Sequence, residues 1–438
     1  MSSDAVACAD RSEYTASEFH PDAFERRSTL MPMWGGAPVA EEARAAVWQT
    51  MLATPLPEGA LAYLDIPFCA NHCVFCPFYR NAWNDAQGGR YVERLIAEVE
   101  AEAAARPRGG SVAALYLGGG TPSALAAADL ARLLRVAGQA LPLAADCEIT
   151  VEGRMLDFGR DKVEACLCAG ANRLSIGVQT FDTRLRRRLG RRHGGDEVAA
   201  YLRELAATVD AVLVADLIFG LPGQDDACWA NDLDIALSLG LSGIDVYAFN
   251  CFPSLPIHRM IARGALPRMS TLAEQARQYA LAVRRLRAGG WTQLSNSHFA
   301  APGSRERNRY NREIKSGADC AAFGAGAGGC LAGYSYSVEG DLERYLGSAD
   351  KPLAALSRLG AHQRALMRIQ GEMEAGRLAL AGLPAAAHEA VERWRAIDLL
   401  EVENTGGGDI ARLSVAGRFW APTMTREIAQ LITAEEIP

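Results

Sequence analysis

Long hydrophobic runs are missing from this sequence: no stretch reaches the roughly 18–20 apolar residues that a membrane-spanning helix needs. The opening residues, "MSSDAVACADRSEY", lack the basic-then-apolar layout of a secretory leader. Together these absences lead to the expectation of a cytoplasmic protein with no membrane span, in which thiols stay reduced. A positive excess is missing too. The net charge is −7 with both signs mixed along most of the chain, which argues against nucleic acid or an anionic membrane as the main partner. There is no internal repeat and no low-complexity tract apart from alanine-rich segments. What remains, 438 residues that are 49% hydrophobic and 22% charged, suits two or three domains or one large α/β barrel with additions.

Eleven cysteines are present. Eight of them (Cys8, Cys147, Cys166, Cys168, Cys228, Cys251, Cys320 and Cys330) are scattered among apolar or small neighbours and read mostly as small buried hydrophobes. The other three, Cys69, Cys73 and Cys76, crowd into "CANHCVFCPF". A structural zinc site closes on four ligands, usually two separated pairs, and no second Cys or His pair follows at that distance. His72 lies between the thiols in sequence, at a position that would aim it away from them. Iron–sulfur clusters are held by thiolates, and three thiolates on four irons leave one iron open for chemistry.

From residue 60 onward, short apolar runs alternate with helical segments: "LAYLDI", "VAALYLGGG", "CEITVE", "NRLSIGVQ", "AVLVADLIFG" and "GIDVYAF". Near-continuous apolar strands separated by crossover helices predict a parallel sheet covered by helices. Six such units suit a partial barrel. In the first helix, Tyr91, Leu95 and Val99 alternate with Glu98 and Glu102 as inner and outer faces. The expected organisation is an N-terminal extension or lid (1–54), an α/β partial barrel (55–270), an accessory substrate-covering segment (271–348) and a mostly helical, winged-helix-like C-terminal domain (349–438).

Ligands bind at the carboxyl ends of parallel strands, and polar residues gather there. Asp65 closes the first run and "GGGTP" (Gly118 to Pro122) the second; Glu152 and Gln179 follow, then Asp216 ahead of "GLPGQ", and Asn250. The run "RLRRRLGRRH" (Arg184 to His193) has two readings, a face for an anionic small molecule or a solvated helix end.

The spacing Cys69-x3-Cys73-x2-Cys76 after "YLDIPF" resembles the radical S-adenosylmethionine (SAM) superfamily. The resemblance implies a [4Fe–4S] cluster whose open iron binds SAM, and reductive cleavage of SAM to a 5′-deoxyadenosyl radical, the cofactors carrying the hard chemistry. "GGGTPS", "RLSIGVQTFD" and "DLIFGLPGQ" are similar to the branch containing oxygen-independent coproporphyrinogen III dehydrogenase, which can hold two SAM molecules. Carried over, Tyr63, Gly119 and Glu152 would meet the cluster-bound SAM. Phe75, Gly120, Thr121, Gln179, Arg191, Asp216 and Asn250 would meet the second. The glycines permit close backbone approach, and the charged groups can pair with SAM's ammonium and carboxylate.

Phe78 stands where the dehydrogenase has a further cysteine, Asp65 where the branch has a histidine, and Pro77 where a glycine is usual. "FCPFYRN", "EITVEGRMLDF", "SNSHFA", "RERNRYN" and "KSGADCAAFGAGAGG" resemble the haem-utilisation subgroup, the anaerobilin synthases. That resemblance implies oxygen-independent haem opening coupled to methyl transfer, a linear tetrapyrrole, released iron, and a donor such as flavodoxin or ferredoxin. Candidate haem contacts are Trp34, Phe299 and Tyr310 as walls and Arg184, Arg186, Arg187, Arg305, Arg307 and Arg309 as propionate partners. His298 reads either as an axial ligand or as a hydrogen-bonded histidine in a polar turn. The alternatives are a two-SAM methyltransferase or cyclopropanase on another substrate, a haem-trafficking chaperone, and the dehydrogenase itself.

Overall fold

The structure, a computed structural model, describes residues 14–29 and 35–435. Six parallel strands follow one another in sheet order: β1 (Ala60–Ile66), β2 (Val112–Gly119), β3 (Leu143–Gly153), β4 (Arg173–Gln179), β5 (Val212–Phe219) and β6 (Gly243–Ala248). Their side chains are buried on both faces over most of their length, as continuous apolar strands between two layers must be. The crossovers include α1 (Asp85–Ala105), α2 (Ala127–Ala140), α3 (Arg160–Cys168), α4 (Gly195–Thr208) and α5 (Asp226–Ser238), and α6 (Leu272–Ala288) follows β6. Side-chain caps start several of them; Asn84, for example, accepts from the amides of Ala86 and Gln87.

The sheet is wider than the sequence rhythm implies. β7 (His298–Ala300) adds antiparallel to β6, and β8 (Cys320–Phe323) adds parallel to β1, a seventh parallel strand. Beyond β8 the sheet continues antiparallel through β9 (Gly328–Leu331), β10 (Tyr334–Val338) and β11 (Leu353–Arg358) to a short strand at Ala37–Pro38. The thirteen strands form an open line, and that line crosses the expected boundaries at 54/55, 270/271 and 348/349.

Two local expectations change. Glu98 and Glu102 lie on the buried face of α1, not on its outer face. Lys351 pairs with both, and Tyr345 donates to Glu98 Oε2 at 2.6 Å, so the buried charges are compensated from far along the chain. Residues 14–29, part of the expected lid, pack on the C-terminal helix: Trp420 Nε1 donates to His20 O, and Arg27 Nε to Phe419 O. That C-terminal part holds α7 (Ala361–Glu374), α8 (Ala385–Arg395) and α9 (Val415–Glu435) around a small three-stranded antiparallel sheet, the winged-helix-like arrangement.

Candidate cofactor site

The three cysteines sit on the loop that leaves β1. Its base is pinned by a short ladder in which Phe68–Cys69 pairs with Asn81–Ala82. Glycines seat the neighbouring turn. Gly119 has φ +105, and a Cβ there would lie 2.6 Å from Asp65 Oδ1; one on Gly120 would lie 2.6 Å from Phe68 O. No larger residue fits either approach. On its other side the loop rests on a separate small core of Cys73, Phe75, Leu189, Leu221, Ile257 and neighbours. Val74 N donates to Leu189 O, and Ile257 N to Val74 O.

Cys69 and Cys73 are buried and Cys76 is half-buried. Their sulfurs already have polar company. Thr121 Oγ1 is 3.3 Å from Cys69 Sγ, while Arg154 Nη1 and Asn71 Nδ2 lie 3.9 and 4.0 Å from Cys73 Sγ. Burial raises the thiol pKa of Cys69 and Cys76; Thr121 and the Arg154 charge oppose this at Cys69. Among the described residues no three His, Cys, Asp or Glu side chains converge on a position for one metal ion. A single zinc would draw thiolates to about 2.3 Å. The donor set fits a multi-iron cluster held by thiolates, with donors already aimed at sulfur. His72 stacks on Tyr79, ring centroids 4.1 Å apart.

Inside the barrel, alternate strand residues face one another. Tyr63, Tyr116 and Tyr310 stack, with Tyr116 and Tyr310 centroids 4.6 Å apart. Tyr116 donates to Glu152 Oε1 at 2.6 Å, and burial lifts the Glu152 carboxyl to about 7 despite that bond. Ser175 donates to Asp216 at 3.2 Å; desolvation, then the Asp245 charge, holds Asp216 well above the usual carboxylate range. Asp65 pairs with Arg80, yet burial keeps it raised to about 6, and its Oδ1 has no partner.

Several further groups are left open. Gln179 takes φ +68, which costs energy in a non-glycine residue, and its buried Oε1 is unpartnered. Arg191 lies 5.7 Å over the Phe75 ring and donates to Gly177 O, leaving Nε buried without a partner. Asn250 is exposed just beyond β6. The structure thus brings the residues singled out for two SAM molecules to the carboxyl ends of β1–β6 and the loops that follow them.

The haem candidates fare differently. His298 is fully buried, its Nδ1 3.0 Å from Asp245 Oδ2 and its Nε2 3.3 Å from Glu306 Oε1. Burial alone would lower its pKa, but the two carboxylates outweigh that and lift it to about 9. Both nitrogens face carboxylates at a fully buried position, an arrangement that favours the structural reading of this histidine over the axial-ligand one. Arg307 lies at the opposite end, paired with Asp146 near the start of β3 at 2.9 Å; Arg305 and Arg309 are likewise ion-paired, with Asp210 and with Asp146 and Glu313. Phe299 is wholly buried. Only Tyr310 of this group reaches the interior tyrosine stack, and Trp34 lies outside the described residues.

Missed by sequence reasoning were Asn71 and Arg154 at Cys73, and Tyr116, Asp245 and Tyr247 inside the barrel. Tyr247 is 39% exposed and stands two residues after Asp245, so the period-two alternation of β6 was the signal that could have found it.

A loop bearing three cysteines above a polar, tyrosine-lined parallel barrel is the arrangement of a cofactor-dependent α/β enzyme. The Radical SAM superfamily model matches residues 63–236. The chain is 40% identical over 425 residues, 95% of its length, to the anaerobilin synthase of Escherichia coli O157:H7, of which it covers 94%. It is 30% identical over 379 residues to the heme chaperone HemW of Mycobacterium tuberculosis, 84% of this chain and 94% of that one. The solved structure of coproporphyrinogen III oxidase (HemN) from Escherichia coli superposes with a TM-score of 0.76 at 20% identity, covering 93% of this chain and 96% of that one. The chain belongs to the radical SAM superfamily, in the branch that holds anaerobilin synthase. The family implies a [4Fe–4S] cluster and SAM. Among the described residues no helix is long and apolar enough to cross a membrane.

Proposed function

We propose that this protein opens the haem macrocycle without oxygen, transferring a one-carbon unit from a second SAM and releasing iron and a linear tetrapyrrole. The observation that carries the reading is the 40% identity with anaerobilin synthase over nearly the whole of both chains. Cys69, Cys73 and Cys76 would hold the cluster, which together with SAM supplies one-electron, radical chemistry. Tyr63, Gly119 and Glu152 would hold the cluster-bound SAM: Gly119 by letting backbone come close, Glu152 by accepting from the ammonium. Phe75, Gly120, Thr121, Gln179, Arg191, Asp216 and Asn250 would hold the second. The unpartnered Gln179 Oε1 and Arg191 Nε support this, since buried polar atoms cost energy unless something completes them. Tyr63, Tyr116, Tyr310 and Tyr247 offer flat, amphipathic walls that suit a tetrapyrrole and exclude water from it.

The test is anaerobic. Protein with a reconstituted cluster is given haem, SAM and a low-potential reductant, and the Soret band and product masses are followed. Loss of the Soret band, with 5′-deoxyadenosine and a linear tetrapyrrole heavier by one carbon, is the expected result. Intact haem in the presence of SAM cleavage overturns the proposal, and haem held stably without turnover points to a chaperone.

A further inference from the structure

The basic run around Arg184 to His193 is not used by the chemistry above except through Arg191. It forms a short helix, Thr183–Arg188, and the turn after it, placed directly on the cysteine loop. A Cβ on Gly190 would lie 3.7 Å from Cys73 Cα, and Asn71 Nδ2 donates to Gly190 O at 2.9 Å. Beside this contact opens a cleft of about 350 Å³, its open mouth included, whose polar lining is Asn71, Arg154, Arg186, Arg191, Arg192 and His193. Asn71 and Arg154, at its inner end, are the side chains that touch Cys73 Sγ.

What sets this face apart is the concentration of its charge. Exposed arginines elsewhere are either ion-paired, as Arg160, Arg268 and Arg305 are, or isolated, as Arg135 and Arg203 are. Arg184, Arg187 and Arg192 are exposed and Arg188 half-buried, and among the described residues none of the four has an ion-pair partner. The nearby carboxylates do not neutralise them: Asp182 caps Leu185 N, and Glu197 accepts from Gly194 N beside His193; Asp196 follows, exposed. A chain of net charge −7 therefore presents an uncompensated cationic face within one residue of a cluster ligand.

We infer that this face is the docking surface for an acidic one-electron donor protein, with the Arg192–Arg154 cleft as the electron's route to Cys73. The inference rests on the cluster reading of Cys69, Cys73 and Cys76. Opposite charge steers such a partner and orients it, and approach from this side places its redox group near Cys73 without crossing the barrel interior where substrate would lie. Each encounter delivers one electron to the cluster and leaves the donor oxidised by one electron.

The test uses the full chain, a purified flavodoxin as donor, and the double variant Arg188→Glu/Arg192→Glu. Binding of oxidised flavodoxin is titrated before iron is loaded, then reduction of the loaded protein by flavodoxin hydroquinone is timed at low salt and at about 0.5 M salt. The expected result is Kd raised and reduction slowed by about ten-fold or more at low salt, a difference that salt erases, with iron content and dithionite reduction unchanged. Equal binding and equal rates at low salt would place the donor elsewhere and overturn the inference, as would an equal slowing with dithionite. Wild-type protein that binds flavodoxin salt-sensitively but takes up no iron would instead overturn the cluster reading and leave the surface standing.

Discussion

Two groups of buried polar residues in the barrel treat charge in opposite ways. In one, Arg173, Glu306, His298 and Asp245 form a chain of alternating charge that runs from the start of β4 to the level of Asp216: Arg173 Nε sits 3.0 Å from Glu306, and His298 lies between Glu306 and Asp245. Arg173 and His298 pull Glu306 down to about 2 against the effect of burial. At the carboxyl ends Asp65, Gln179, Arg154 and Arg191 each keep a buried polar atom without a partner, and Glu152 is held near 7 with only Tyr116 on it. In the first group each charge faces an opposite charge, whereas at the carboxyl ends Gln179 and Arg191 have no opposite charge set against them.

The comparison breaks most completely at the cysteines. Cys73→Ser should abolish iron uptake and SAM cleavage while far-ultraviolet circular dichroism stays as in the parent, because the loop is held by backbone bonds and the small core rather than by sulfur. Full iron content in that variant would refute the three-thiolate assignment. Next in size is His298→Ala, which strands the buried Asp245 while Glu306 keeps Arg173. Breaking a buried charge network costs about 3–5 kcal/mol, read as a lowered midpoint in urea. The sign with pH follows from His298 being raised from 6.5 to about 9. Its stabilisation is fully present below 6.5 and is lost as pH rises through 9, so parent and variant should converge in alkali. Loss of haem binding at parental stability would restore the axial-ligand reading.

Much of the carboxyl-end group was legible because parallel strands put alternate residues on one face and end where ligands bind. Asp65, Glu152, Gln179 and Asp216 could be read from where the apolar runs stop. What escaped depends on partners distant in sequence. Nothing near "SNSHFA" announces that Asp245 and Glu306 will flank the imidazole, and nothing near Glu98 or Glu102 announces Lys351. The seventh parallel strand, Cys320–Phe323, is four residues long and lies beside a glycine-rich stretch, so its run is too short to register as a strand. Asn71 and Arg154 escaped because their partner is a sulfur on the same loop or across the barrel top.

A smaller effect sharpens the carboxyl-end group. Burial lifts the Glu152 carboxyl to about 7, so on the proposal that it accepts from SAM's ammonium, the neutral form that builds up below that pH weakens the contact. SAM affinity should rise by several-fold between about pH 6 and pH 8, measured by calorimetry on the loaded protein. Glu152→Gln should bind weakly and flatten the profile. A parental profile that is already flat would mean that SAM binding does not change the protonation of Glu152 in this range, and would remove the carboxyl from the ammonium contact.

The smallest effect is expected from Arg307→Ala. Arg307 lies in "RERNRYN", one of the segments that carries the resemblance, and sequence alone makes it a propionate partner. In the fold it reaches across the amino ends of the strands to Asp146, which is exposed, and donates a second time to the Asp146 carbonyl at 2.7 Å. An exposed pair of this kind contributes little because water solvates both partners before and after the contact. Arg309 also reaches Asp146, at 3.2 Å, so removing Arg307 leaves the carboxylate with a cation. The thermal midpoint and the haem KM should both stay within error of the parent. A raised KM at unchanged midpoint would put substrate at the amino ends of the strands and move the site away from Gln179 and Arg191.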